Sequence, residues 1–238
     1  MTSRTTKLLI AATLMVVAVA SAASAASFGE PIADGYTYMS GYGFNGTNTY
    51  LSAYGLADGI TYDGVSYLKW DVSSVAPGTY AVSSASITIT HFANPLWTIA
   101  QSAQYPLQFV DVGSSWGETT PVGSLPAPGS TVYGSGSYSG AIPTGQAFTW
   151  TINLDPVAFT SYFNSAVSAG ELNLVARSLV PMESMQNQVR YKWYSNQDAT
   201  YSGSILNVDY TAVPEPGSMI AMLAGLTGMV GVIRRKTS

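Results

Sequence analysis

His91 is the only histidine in the 238-residue chain and there is no cysteine, which narrows the available chemistry at once. One imidazole cannot furnish a two-histidine metal site. No Ser-His-Asp or phosphate-loop arrangement is expected from this one histidine and this glycine spacing. Thiolate catalysis, thiolate metal sites and disulfides are excluded. Carboxylate chemistry remains open, because a glycosidase needs only two acids flanking a sugar. Asp111 and Glu118 are the nearest candidates, with Glu183 behind them. Solvated loop acids are the preferred reading of all three. His91 continues the parity of Ile87 and Ile89, so a structural role at a strand end, or simple exposure there, is expected for it rather than catalysis.

Hard oxygen donors offer a second chemistry. Asp34, Asp58 and Asp63 lie among glycines, in stretches expected to be loops, and calcium favours such sites. Their spacing matches no regular calcium loop, and no other cofactor is expected. Aromatic residues give a third signal: sixteen tyrosines and five tryptophans exceed what one β core needs. Tyrosine offers a sugar both a flat face and a hydroxyl. By parity Tyr67 and Tyr194 point away from the apolar residues of their strands. Trp97 stands near Pro95, and Tyr133 and Tyr138 fall in a Gly- and Ser-rich stretch. Between Val189 and Ser195, Val189, Tyr191 and Trp193 share one face while Arg190, Lys192 and Tyr194 share the other. Arg190, Lys192, Tyr194 and Tyr67 are therefore the ligand-binding candidates, able to stack on a sugar and pair with a uronate carboxylate. The alternative is that Arg190 and Lys192 only balance acids such as Asp198.

These residues ride on short alternating runs. Leu68, Trp70 and Val72 point one way against Tyr67, Lys69 and Asp71. Ala85, Ile87 and Ile89 alternate with Ser84, Ser86, Thr88 and Thr90. Similar runs fall at 107–109, 148–155, 172–176, 189–193 and 206–210, separated by Gly, Pro, Ser and Asn clusters. Such a pattern predicts an all-β, antiparallel sandwich or barrel, with Trp70 and Trp150 in its core. Asp155-Pro156 sets an N-cap and a first-turn proline, and Phe159, Phe163 and Val167 follow at helical spacing. One short helix over 156–168, stopped by Gly170, is expected to cover an end of the sandwich. The stretch from Pro126 to Gly145 holds no apolar period and reads as a mobile or ligand-facing loop.

The two ends are of another kind. Arg4 and Lys7 precede an apolar run from Leu8 to Ala20 and the small residues Ser21 to Ala26. This has the form of a secretory signal peptide cut after Ala25 or Ala26, handled by the Sec machinery. At the C-terminus Val213-Pro214-Glu215-Pro216-Gly217 leads into an uncharged run to Ile233, then Arg234-Arg235-Lys236. Gly217 to Ile233 is 17 residues, the lower edge of a membrane-spanning helix, and the basic cluster after it would stay cytoplasmic. The expected organisation is signal peptide 1–26, one β domain 27–212 and a tail 213–238. Residues 27–212 hold four cations against twelve acids, a net charge of −8. Nothing there could neutralise a phosphate backbone, so a nucleic-acid partner is not expected.

The tail resembles the PEP-CTERM sorting signal of Gram-negative bacteria: a Pro-Glu-Pro motif, one short transmembrane helix and an Arg-rich end. The resemblance implies recognition of Pro214, Glu215, Pro216, Arg234 and Arg235 by an exosortase-type membrane protease. It also implies transient residence in the inner membrane and release to the cell surface or extracellular matrix. An ordinary single-span anchor is the alternative. The body resembles the DNRLRE-type β-sandwich domain, which includes polysaccharide-binding modules. The matching pieces are Ala33-Asp34-Gly35-Tyr36, Asn48-Thr49-Tyr50-Leu51, Tyr67 to Val75, Trp116-Gly117-Glu118-Thr119-Thr120, Trp150 to Val157, Lys192-Trp193-Tyr194-Ser195 and Leu206 to Tyr210. A second Trp often present in the Trp-Gly-Glu segment is missing here.

Together these readings make the chain an exported, non-catalytic, jelly-roll-like surface or matrix protein that binds polysaccharide, such as the cell's own exopolysaccharide. A structural matrix or biofilm protein without a defined ligand is the alternative. A glycan hydrolase or lyase stands well behind both.

Overall fold

The computed structural model describes residues 23–38, 43–54, 64–92, 104–139, 147–178 and 190–214. Twelve strands run through them: β1 (Ala23–Ser27), β2 (Ala33–Tyr38), β3 (Gly43–Asn45), β4 (Tyr50–Tyr54), β5 (Ser66–Asp71), β6 (Tyr80–Thr90), β7 (Gln104–Val112), β8 (Pro128–Ser139), β9 (Thr149–Leu154), β10 (Glu171–Ser178), β11 (Arg190–Tyr194) and β12 (Ile205–Ala212). Each of the alternating runs becomes a strand, and every pairing among them is antiparallel. Ten strands form one sheet in the order β1-β12-β6-β9-β8-β7-β10-β5-β2-β3, and β11 pairs with β4 in a separate ribbon.

Among the described residues the long sheet is joined at its middle by the pairing of Gly134 with Leu154, beside which Asp155 N–H donates to Tyr133 C=O at 2.6 Å. On one side lie β1, β12, β6 and β9, and on the other β8, β7, β10, β5, β2 and β3. Inward residues of both sides, such as Ile87, Ile89, Ile152, Leu206 and Val208 against Leu68, Trp70, Phe109, Leu172 and Leu174, belong to one core. The arrangement is consistent with an all-β sandwich. The β4/β11 ribbon is tied to β6 by a bridge between His91 and Trp193. Tyr191 and Trp193 drop fully into the core.

Helix α1 (Pro156–Ala169) begins where the sequence places it: the Asp155 carboxylate accepts from the amides of Val157 and Ala158, and Gly170 ends it in the left-handed region at φ 80°. Phe159, Phe163, Ala166 and Val167 face the core. The helix also completes β6, whose ladder with β9 begins only at Ala85. Asn164 accepts from Tyr80 N–H (2.7 Å) and donates to Tyr80 C=O (2.9 Å), and Thr160 Oγ1 accepts from Val82 N–H (3.1 Å). Those strand groups thus have partners at a sheet end.

Three expectations are corrected. The segment from Pro126 onward is not an open loop; most of it is β8, paired along β7. It lacks an apolar period because small residues are what its position admits. A Cβ on Gly134 would lie 2.6 Å from Leu154 Cδ2 and 2.7 Å from Asn153 C=O, and one on Gly136 would crowd Ile152 and Trp150. Tyr133, expected in that loop, is buried and stacked on Tyr162 at 4.7 Å. Trp70 is fully buried, but Trp150 is only partly so, with Nε1–H donating to the Tyr191 hydroxyl. Asp34 sits in strand β2, where a loop was expected.

At the chain ends, β1 pairs with the outer edge of β12 from Ala23–Thr211 to Ser27–Asn207. It therefore straddles the expected signal-peptide cleavage point. No helix among the described residues is long and apolar enough to cross a membrane. The expected span 217–233, with Glu215, Pro216, Arg234 and Arg235, lies outside the described residues. Pro214, the last described residue, is exposed.

Candidate functional site

The candidate sugar contacts are best followed from β11. Its register with β4 sets Tyr194 opposite Tyr50 and Lys192 opposite Ser52, so these four side chains share one face of the ribbon. Phe92, just past the His91 bridge, joins them: its amide donates to Lys192 C=O at 3.1 Å. A file of rings results. Tyr201 stacks on Tyr194 (4.5 Å between centroids), Tyr194 meets Phe92 (5.0 Å), Phe92 meets Tyr50 (5.0 Å) and Tyr50 meets Tyr36 (5.6 Å). Lys192 Nζ lies 4.1 Å from the Tyr50 ring centre, a cation–π contact. The Asn48 amide donates to the Tyr36 hydroxyl (3.0 Å), which donates on to that of Tyr50 (3.2 Å).

The expected open face is corrected here. Tyr194 is 4% exposed and Lys192 9%, so the exposed part of the file is Tyr201, at 41%, with Tyr50 and Phe92 half-buried. Parity could not have found Phe92 or Tyr201, which lie beyond their strands' regular alternation. Arg190 lies on β11, but its side chain is outside the described set.

Tyr67 belongs elsewhere. It points away from Leu68 and Trp70 as expected, yet that face is also covered. Tyr67, Val110, Val112, Trp116 and Val175 form a second, smaller apolar cluster under the segment after β7. The Tyr67 hydroxyl donates to Pro126 C=O at 2.9 Å. Lys69 runs under the same segment, donating to the carbonyls of Ser114 (2.9 Å) and Trp116 (2.7 Å) and pairing with Glu171 at 3.4 Å. Arg177 shares that face, its Nε donating to Gln108 Oε1 at 2.8 Å. Lys69 and Lys192 therefore lie on different parts of the fold, one fixing a loop and one capping a ring.

The catalytic candidates Asp111 and Glu118 are engaged with different neighbours. Asp111 faces β8, accepting from Thr131 N–H at 3.2 Å, with Gly129 close against its carboxylate. Glu118 faces the turn after β11, accepting from Gln197 Nε2 at 2.7 Å. Asp34 is fully buried at that same turn, its Oδ2 accepting from Asn196 N–H at 2.8 Å. Burial, helped by the charges of Glu118 and Glu30, pushes the Asp34 carboxyl up to about 7. His91 is stacked on Phe148 at 4.9 Å, and burial pushes its imidazole down to about 4. It is neutral at physiological pH, as a structural strand-end residue would be. Asp58, Asp63, Glu183 and Trp97 lie outside the described residues.

Neither a scan against protein-family models nor a search of curated proteins finds a match to this chain.

Proposed function

We propose that the chain is an exported cell-surface or matrix protein whose β body, a jelly-roll-like module of the DNRLRE kind, binds polysaccharide without catalysing its cleavage. The observation that carries this reading is the ring file Tyr201–Tyr194–Phe92–Tyr50 with Lys192 and the Asn48 amide beside it. The exposed Tyr201 ring and the half-buried Tyr50, Phe92 and Asn48 beside it offer the flat faces and hydrogen-bonding groups that match the two surfaces of a pyranose ring. Catalysis fits less well, since Asp111 and Glu118 are engaged with different neighbours and His91 is buried. The form of the two ends supports export, with a Sec-type leader and a PEP-CTERM-like tail removed by an exosortase-type protease.

The burial of Tyr194, Lys192 and Tyr67 favours a second reading, a structural matrix protein whose aromatics resist unfolding. Affinity electrophoresis of the full chain against neutral and acidic polysaccharides separates the two. Binding should slow migration, and Tyr201→Ala, which removes the most exposed ring, should abolish that retardation while leaving the melting temperature within a few degrees. Unretarded wild-type protein on every polymer would favour the structural role. Release of reducing ends or unsaturated sugars would instead reveal a hydrolase or lyase. Export is tested separately: Pro214→Ala with Glu215→Ala should leave uncut protein in the inner membrane. Normal release of that variant would reduce the tail to an ordinary anchor.

A further inference from the structure

Four segments far apart in the chain meet beside Asp34. The Asn45–Thr49 turn packs against the Trp116–Thr120 segment so closely that a Cβ on Gly46 would overlap the Glu118 backbone. The turn after β11 is drawn in on both sides. Ser195 Oγ donates to Asn48 C=O, Asn196 Nδ2 donates to Pro31 C=O at 2.9 Å, and Gly203 N–H donates to Glu30 Oε1 at 2.7 Å. Two carboxylates, Asp34 and Glu118, bracket Asn196 and Gln197 in the middle. Asn196 N–H lies 2.8 Å from Asp34 Oδ2, Asn196 Nδ2 is 3.5 Å from Glu118 Oε1, and Gln197 Nε2 is 2.7 Å from the same oxygen.

The unusual feature is what these groups leave over. Asp34 Oδ1, Asn196 Oδ1 and Gln197 Oε1 are each buried with no hydrogen-bond partner of ordinary geometry, although the Gln197 side chain lies close beside the Asp34 carboxyl. The Asp34 side chain is wholly inaccessible, at 0% exposure. Three buried acceptors without a donor, one of them ionisable, carry a desolvation cost that native interiors avoid. A solvated acidic patch leaves no such atoms. Lys69 is paired with Glu171, and the charges acting on Asp34 are those of the acids Glu118 and Glu30, with no cation among them. The atoms left over on these three residues are oxygens of carboxylate or carboxamide type, the donor set that calcium takes and softer metals do not.

We infer that Asp34, Glu118, Asn196 and Gln197 form a binding site for one hard divalent cation, calcium, which fastens the Trp116–Thr120 segment to the turn after β11. No group of three or more His, Cys, Asp or Glu side chains among the described residues has metal-holding geometry. The protein donors are therefore two carboxylates and two amide oxygens, and water completes the six to eight ligands that calcium takes. Glu118 Oε1 already receives Gln197 Nε2, so its other oxygen is the one offered to the ion. A dication would offset the mutual repulsion of the Asp34, Glu118 and Glu30 carboxylates gathered there. The inference does not depend on polysaccharide binding.

The test uses the full chain in detergent, stripped with a chelator and then titrated with calcium chloride or magnesium chloride. Calorimetry should find one calcium per chain. At a hundredfold excess over the dissociation constant the melting temperature should rise by roughly 5–10 °C. Asp34→Asn, which keeps the shape but removes a charged donor, should lose the rise. Glu118→Gln and Gln197→Ala should each weaken calcium binding about tenfold or more, and Gln197→Ala keeps the test available if Asp34→Asn misfolds. Asp209→Asn, an exposed acid on β12, should respond as wild type. Absence of any calcium-dependent shift in the wild type overturns the site. So does an equal shift in all three site variants, or a magnesium shift as large as that of calcium.

Discussion

Replacing Lys69 with Met should release the segment that covers the second apolar cluster. Lys69 is 9% exposed, and its ammonium donates to Ser114 C=O at 2.9 Å and Trp116 C=O at 2.7 Å while lying 5.1 Å from the Trp116 ring centre. Methionine keeps most of the aliphatic stem but supplies no donor. A hydrogen bond to a charged group contributes about 1.5–3 kcal/mol, and a buried carbonyl left without a donor costs about 1–3 kcal/mol. Two such bonds are lost. The partly exposed ion pair with Glu171 adds little, since pairs of that kind contribute about 0–1 kcal/mol. Against this stand relief from burying an ammonium and some added apolar burial by the thioether. The balance is a destabilisation of about 2–4 kcal/mol, measurable as a lower urea midpoint at unchanged slope. Amide exchange should speed up first in residues 114–120, because the tether is local. Lys69→Arg, which keeps the donors, should lose less. A Lys69→Met midpoint equal to wild type, or exchange that quickens elsewhere before 114–120, would refute the tether.

Acid should act through His91. Its folded imidazole lies at about 4 against an ordinary 6.5, because burial among Phe148 and Tyr191 disfavours the charged form. The unfolded chain therefore gains its proton first as pH falls, so the contribution of His91 is complete above 6.5 and declines between 6.5 and about 4. The ceiling is ~3 kcal/mol. Asp34 titrates in the same window with opposite sign, so the measurement is the stability difference between wild type and His91→Gln; a difference constant from pH 7 to 4.5 would contradict the assignment. Gly134→Ala should cost about 1–3 kcal/mol by overpacking, since its Cβ meets both Leu154 and the backbone of Asn153; a neutral variant would show that β8 and β9 do not approach as described. Trp70→Ala should cost about 3–5 kcal/mol and Trp150→Ala less; equal losses in thermal or urea unfolding would contradict their unequal burial.

Strands β5 to β7 and β9 to β12 and the helix were legible because period-two alternation and the Asp155-Pro156 start act locally. Parity also told correctly which way Tyr67 points. It could not tell that a second layer, carrying Trp116 and Leu125, closes over that face, because the cover comes from a segment about fifty residues away. β8 was illegible for a related reason. A strand crossing close against Leu154 and Ile152 needs small side chains, and Gly134 and Gly136 mimic loop composition while meeting a packing demand. Asp34 carried the most misleading signal. Its neighbour Gly35 reads as a turn, but that glycine is there because Phe44 lies against it. No local pattern announces that Asn196 and Gln197 will face Asp34 across more than 160 residues.

The placement of the cations bears on the kind of polymer such a body could hold. The clearest source of affinity for a polyanionic glycan would have been a cluster of Lys69, Arg177, Arg190 and Lys192 on one face. Lys69 is instead directed into the protein to hold loop carbonyls, and Lys192 sits over Tyr50 on a separate ribbon. With a net charge of −8 over residues 27–212, the remaining surface repels uronates more than it attracts them. The outward side of β6 and β9 carries Ser86, Thr88, Thr149, Thr151 and Asn153, all neutral hydrogen-bonding groups. A neutral polysaccharide meets no charge penalty on such a surface and can use both its hydroxyls and the ring file. An acidic polymer would need a bridging cation.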